Sequence, residues 1–130
     1  MDASGLAAID LFADCSSDEL ERLAEVLSTE EHPVGTVLVE EGDLPTKFFV
    51  ILDGNVTVHR AGRHVADLGP GDFFGELGVL ALQRRNATVI ATTPLRVAVA
   101  MGWDLRRVLE EAPGLGERLG SIASSRVSQD

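Results

Sequence analysis

The run Gly71-Asp72-Phe73-Phe74-Gly75-Glu76-Leu77-Gly78-Val79-Leu80, followed by Arg84-Arg85-Asn86-Ala87-Thr88-Val89, holds the residue types needed to capture an oxyanion. A glycine-bounded turn would deliver the chain into a short helical turn, whose first backbone N–H groups have no partner within the helix and face outward. Leu77 and Gly78 stand where those donors would be. Arg85, nine residues beyond Glu76, brings a planar fork of N–H groups suited to two phosphate oxygens. Ionised Glu76 can only accept, so its fitting partner is a hydroxyl. Glu76 and Arg85 would equally make a plain ion pair in a loop that binds nothing, and Gly71 and Gly75 suit tight turns in either case. Thr88 offers a hydroxyl to the anion, although a threonine in an extended segment is more often there for its β propensity.

Other chemistry has less support. A metal-dependent enzyme on a β-rich fold needs paired histidines and a carboxylate converging on one point. Here His32, His59 and His64 are isolated, and His59 and His64 flank the hairpin turn expected at Gly62. No Ser/His/Asp or Cys/His nucleophile arrangement can be argued either, so the sequence reads as a binding protein, not an enzyme, with no metal and no cofactor.

These residues must be held by a domain, and 130 residues suit one domain with a real core. A hydrophobic fraction of 45% and a charged fraction of 25% match an ordinary globular protein. The formal charge of −10 argues against a nucleic-acid surface, which needs concentrated lysine and arginine. Acidity gathers in the first 31 residues, where Asp2, Asp10, Asp14, Asp18, Glu19, Glu21, Glu25, Glu30 and Glu31 face the single base Arg22. That end is expected to be a solvated acidic surface, with docking to a basic partner as the alternative. Cys15 is the only cysteine, which excludes an internal disulfide. No basic leader and no long apolar run is present, so the expectation is a cytoplasmic protein off the membrane.

Ser16 and Glu19 form a capping-box pattern ahead of Leu20, Leu23, Ala24 and Leu27, predicting an amphipathic helix over about 17–28. Leu6, Ile9, Leu11 and Phe12 predict a further helical turn upstream, and Pro33 and Gly35 are expected to close a helical region over 5–31. From 32 to 101 the texture is short β-branched runs between turn residues, with strands expected at 36–40, 47–53, 55–60, 63–68, 86–92 and 95–100. Asp53-Gly54 and Ala61-Gly62 mark tight turns, and Val56, Val58, Val97 and Val99 are expected to point inward. Two helices should fill 102–127, interrupted at Pro113-Gly114.

The string Phe74-Gly75-Glu76-Leu77-Gly78, with Arg85, Ala87, Thr88 and Val89 at their spacing, resembles the phosphate-binding cassette of cyclic nucleotide-binding domains. Family examples are the effector domains of catabolite activator protein and of protein kinase A regulatory subunits. Gly35, the Glu41-Gly42-Asp43 turn, the Phe49-to-Gly54 strand and turn, and Leu68-x-Pro70-Gly71-Asp72 extend the resemblance over about 10–125. It implies a mainly β fold with flanking helices: an eight-stranded jelly-roll barrel with one N-terminal helix and two C-terminal helices. It also implies a cyclic nucleotide ligand, cAMP before cGMP, held by Gly75, Glu76, Leu77, Gly78, Arg85, Asn86, Ala87 and Thr88. In that reading Arg85 takes the phosphate and Glu76 the ribose hydroxyl.

Asn86, directly after the arginine, can donate or accept and does not settle the purine. The loop Ala81-Leu82-Gln83-Arg84 departs from the glycine and proline common among relatives. The chain has no tyrosine, and Trp103 begins a C-terminal helix, so a lid over the base would be aliphatic, from Leu115, Leu119 or Ile122. The resemblance implies a sensor whose terminal helices move on ligand binding and act on a protein effector, on a second copy or on an output domain. The alternatives are a ligand-free interaction domain on the same fold and, with little support, a cupin-like enzyme.

Overall fold

Two strands, Lys47–Asp53 and Leu95–Met101, are apolar almost without alternation, and the fold gives the reason: both of their faces are covered. In the computed structural model, which describes residues 3–9, 12–43, 46–75 and 87–118, these strands are β3 and β8. They are the inner pair of a four-stranded antiparallel sheet in the order β1-β8-β3-β6, with β1 at Ser28–His32 and β6 at Phe73–Phe74. The second antiparallel sheet runs β2-β7-β4-β5, from Val37–Val39, Thr88–Ala91, Val56–Arg60 and Arg63–Leu68.

Successive side chains of a strand leave opposite faces, so the first sheet feeds two cores. Phe49, Ile51, Phe74, Leu95, Val97 and Val99 meet Val39, Val56, Val89 and Ala91 of the second sheet. Phe48, Val50, Phe73, Ala98 and Ala100 meet the helices instead. The helical layer comprises α1 (Ala3–Ala7), α2 (Ser17–Val26), α3 (Gly102–Glu111) and a further helix from 113 to the last described residue, 118. It contributes Leu6, Leu23, Leu105, Val108 and Leu115 to that outer core.

The mainly β fold of eight strands with flanking helices is present, as two stacked sheets and not as a closed barrel. Val56, Val97 and Val99 are buried between the sheets, and half-buried Val58 packs against them. Three expectations need correction. The helix expected to reach 28 ends at Val26, and the region expected to stay helical to 31 contains β1, paired antiparallel with β8 from Ser28↔Val99 to His32↔Leu95. The sequence Ser-Thr-Glu-Glu-His carries no alternation because β1 is an edge strand whose side chains are largely in water. The second missed strand, β6, has only two residues and pairs with β3 through Phe49↔Phe74 and Val50↔Phe73. Pro113-Gly114 was expected to interrupt a helix, but the break falls at Ala112, whose carbonyl accepts from the Leu115 N–H at 3.0 Å. Pro113 therefore occupies the first turn of the next helix, where its missing N–H costs nothing.

Ser16 caps α2 as expected: its hydroxyl accepts from the Glu19 N–H at 3.1 Å while the Glu19 carboxylate accepts from the Ser16 N–H at 2.9 Å. The helices are tied to one another through charge as well. Arg22 bridges Asp18 and Glu111 of α3, and Arg118 donates to Cys15 Sγ at 3.5 Å and to Glu19 at 3.4 Å. Burial raises the Cys15 thiol above its ordinary pKa despite the Arg118 guanidinium beside it.

Candidate phosphate-binding site

The connection from β6 to β7 leaves one sheet and enters the other, and both of its ends are anchored in the cores. On the β6 side the phenylalanine pair divides its work. The Phe74 ring stacks on Phe49 between the sheets, centroids 4.8 Å apart, while Phe73 lies 5.9 Å from Phe48 under the helices. The chain enters β6 through a tight turn: Asp72 Oδ2 accepts from the Gly69 N–H at 2.9 Å, and the Asp72 N–H donates to the Gly69 carbonyl at 3.0 Å. Ile51 of β3 grips the same turn, donating to the Asp72 carbonyl and accepting from the Gly71 N–H, both at 2.8 Å. Directly after Phe74, Gly75 has φ +88°, a left-handed conformation that glycine adopts without a Cβ penalty. The expected turn role of Gly75 is therefore present.

On the β7 side, Ala87 is buried, Thr88 is half-buried and Val89 is buried, so the chain arrives in alternation. Thr88 pairs with His59 of β4, and its Oγ1 accepts from the Glu41 N–H at 3.1 Å. That leaves the Thr88 O–H proton to donate elsewhere. The Glu41 carboxylate in turn accepts from the Ala61 N–H at 2.7 Å. Ala61 has φ +53° and Gly62 φ +78°, the paired positive values of a type I′ hairpin turn between β4 and β5. One rim of the second sheet is thus laced together by polar contacts joining two turns and the start of β7.

Of the residues named from the sequence, Gly75, Ala87 and Thr88 sit at the two mouths of this connection. Glu76, Leu77, Gly78, Arg85 and Asn86 lie outside the described residues. Leu115, offered as a lid, is fully buried in the outer core, so in this arrangement it is packing; Leu119 and Ile122 lie outside the described residues. The sequence reading missed two polar residues, Asp72 as the side-chain lock of the entry turn and Glu41 as the link across the rim. Glu41 precedes Gly42-Asp43, a turn signal, but its bonds reach 20 and 47 residues along the chain, beyond any local pattern.

The histidines take the positions of a hairpin pair. His59 and His64 are cross-strand partners with ring centroids 5.7 Å apart, His59 Nε2 lies 3.3 Å from Thr57 Oγ1, and His64 Nε2 lies 2.9 Å from Asp67 Oδ1. The His64 imidazole holds the Asp67 carboxyl below its ordinary pKa. Among the described residues no three such side chains converge to hold a metal ion, and no helix is long and apolar enough to cross a membrane. An open groove of about 490 Å³ around Pro94, with Glu31, His32, Asp53 and Arg96 in its walls, lies at the opposite end of the sandwich from Thr88.

The model of the cyclic nucleotide-binding domain family matches residues 29–112, which include both anchored ends and the whole connection between them. The chain belongs to this family. Acetyltransferase Pat of Mycolicibacterium smegmatis is 34% identical over 134 residues, covering 97% of this chain and 39% of that protein. The cAMP-dependent protein kinase regulatory subunit of Eremothecium gossypii is 35% identical over 105 residues, covering 80% of this chain and 23% of that one. The domain thus spans well under half the length of these relatives. Among solved structures, the regulatory domain of Toxoplasma gondii PKA with cAMP superposes with a TM-score of 0.85 at 23% identity, over 98% of this chain and 49% of that one, a likeness of fold.

Proposed function

We propose that the domain is a regulatory sensor that binds cAMP, in preference to cGMP, in the β6–β7 connection. The observation that carries this reading is the complete cassette sequence, Phe74-Gly75-Glu76-Leu77-Gly78 to Arg85-x-Ala87-Thr88-Val89, spanning a connection whose two ends are pinned in different sheets. In this reading Arg85 and the N–H groups of Leu77 and Gly78 hold the cyclic phosphate, and Glu76 accepts from the ribose 2′-hydroxyl. Asn86, Ala87 and Thr88 complete the wall, and Leu119 or Ile122 covers the base. The preference for cAMP leans on relatives: the kinase subunits are named for it, and the Toxoplasma domain was solved with it.

The transmission route runs through β6. Phe74 packs between the sheets and Phe73, one residue earlier, packs against the helices, so a shift of the cassette is felt in both cores at once. Ligand can bias the helices only by binding one of their arrangements more tightly. The reading assigns the domain no bond-breaking step. Acetyl transfer is not carried over, because the match covers only 39% of the acetyltransferase. The output is a protein effector, a second copy or an attached domain.

Calorimetric titration with cAMP and cGMP, on the wild type and on Arg85→Ala, tests this. Saturable binding of cAMP, weaker binding of cGMP and an Arg85→Ala loss of about 10²–10³-fold with folding intact are expected, since truncating one side of a hydrogen-bonded charge pair costs about 2–5 kcal/mol. Absence of binding by the folded wild type at millimolar nucleotide would overturn it.

A further inference from the structure

Resting on the nucleotide-binding reading above, we infer that Glu41 is a positioning residue for the cassette, bracing its β7 end through Thr88 although it belongs to neither flanking strand. The bonds form a relay across two turns to the first residue of β7. The Glu41 carboxylate accepts from the Ala61 N–H at 2.7 Å, which fixes the 40–43 turn against the β4–β5 hairpin. The Glu41 N–H, so fixed, donates to Thr88 Oγ1 at 3.1 Å. The Asp43 N–H closes the turn on the Glu40 carbonyl at 3.1 Å, and Gly42 at φ +88° lets it reverse within so few residues.

Position makes this bracing matter. Thr88 is the first residue of β7, three residues after Arg85; on one side β4 pairs regularly along the strand, from Val56↔Ala91 to His59↔Thr88, but on the other β2 has three residues and shifts register between Val37 and Val39. The β7 end nearest the cassette is therefore held on the β2 side more by the Glu41 contact than by a regular ladder. An arginine that must meet two phosphate oxygens loses affinity when its strand is free to drift, because catching the anion then also requires ordering the chain. The carboxylate bonds the hairpin, and Glu41 reaches Thr88 only through its backbone N–H. Its role is the acceptor oxygen, not the negative charge.

Three measurements on the full chain decide it. In titrations with cAMP, Glu41→Ala is expected to bind about five- to tenfold more weakly, the loss of one hydrogen bond at an exposed site. Glu41→Gln, which keeps an acceptor oxygen, is expected to stay within about twofold of wild type. Amide hydrogen exchange on the nucleotide-free chain should show Glu41→Ala accelerating not only the Ala61 N–H but also the amides of Thr88 and Val89. Unchanged cAMP affinity in Glu41→Ala, beside an Arg85-dependent wild type, overturns the brace and leaves the nucleotide reading standing. Equal weakening by Gln and Ala, or acceleration confined to Ala61, also overturns it. A wild type that binds no nucleotide overturns the nucleotide reading first and this role with it.

Discussion

The two sheets share a core but are held in different ways. In the first sheet, β3 and β8 are buried on both faces, with Phe48, Val50, Ala98 and Ala100 against helices and Phe49, Ile51, Val97 and Val99 against the other sheet. The second sheet has one buried face; its other described positions are half-buried or exposed, and β5 has no buried residue. Its cassette-side rim depends on the bonds of Glu41, Thr88 and Ala61. Apolar burial is strong and insensitive to direction, whereas a few polar contacts at a partly solvated rim are weak and geometrically exact in what they fix. Binding segments are drawn from the less stable parts of a fold, and the cassette joins this sheet to the rigid one. In the proposed sensor, the first sheet would supply stability and the route to the helices, and the second adjustability at the nucleotide.

The sharpest test of that division is to damage the rigid side. Phe48 is 1% exposed, and Phe48→Ala should cost about 3–5 kcal/mol in denaturant unfolding. Val58→Ala, half-buried on the inner strand β4 of the second sheet, should cost about 1 kcal/mol. Similar losses at the two positions would mean that the sheets are equally dependent on burial and that the contrast is wrong.

How much of this was legible in the sequence follows the same line. The helix over α2 was readable from Ser16 and Glu19, because a capping box is local and its two bonds are both formed. Five of the six expected strands were bounded by turn residues or carried apolar runs that burial imposes, and the sixth, β7, was readable from its β-branched run Thr88-Val89-Ile90. Strand β1 was not readable, because Ser28–His32 contributes backbone to an edge while its side chains stay in water. The cassette was legible as a string because Phe74-Gly75-Glu76-Leu77-Gly78 and Arg85-x-Ala87-Thr88-Val89 together resemble a family motif, whereas a glycine turn with a nearby arginine is by itself a weak signal. Glu41 was not, because its contacts join turns far apart in sequence. Leu115 was read as a lid candidate, and only the packing of the helices puts it in the core.

A smaller effect is expected from easing the rim itself. Ala61 holds φ +53°, a conformation that costs an L-residue about 1–2 kcal/mol and that asparagine tolerates better. Ala61→Asn should raise unfolding stability by about 0.5–1 kcal/mol while leaving the 2.7 Å bond to Glu41 possible, since that bond uses the backbone N–H. A stability gain accompanied by unchanged cAMP affinity is the expected pattern. A loss of stability would show that the turn is held by more than the contacts identified at this rim.

The smallest predicted effect probes the helical cover of the rigid sheet by pH. The Ser16 N–H, with Arg118 assisting, lowers the Glu19 carboxyl below its ordinary 4.5. A carboxylate whose folded pKa lies below its unfolded one adds stability above the unfolded value and loses it as pH falls through the folded value. Glu19→Gln keeps an acceptor for the capping box but no charge, so its stability cannot depend on that ionisation. Thermal unfolding should therefore place the wild type above Glu19→Gln at pH 7, with the gap closing as pH drops below about 4. Taking the difference between the two proteins cancels the many other carboxylates of this acidic chain, which titrate in both. A gap that stays constant from pH 7 to pH 3 would mean that Glu19 caps α2 through geometry alone. The helices would then be fastened to the first sheet by burial, with charge contributing only at the surface.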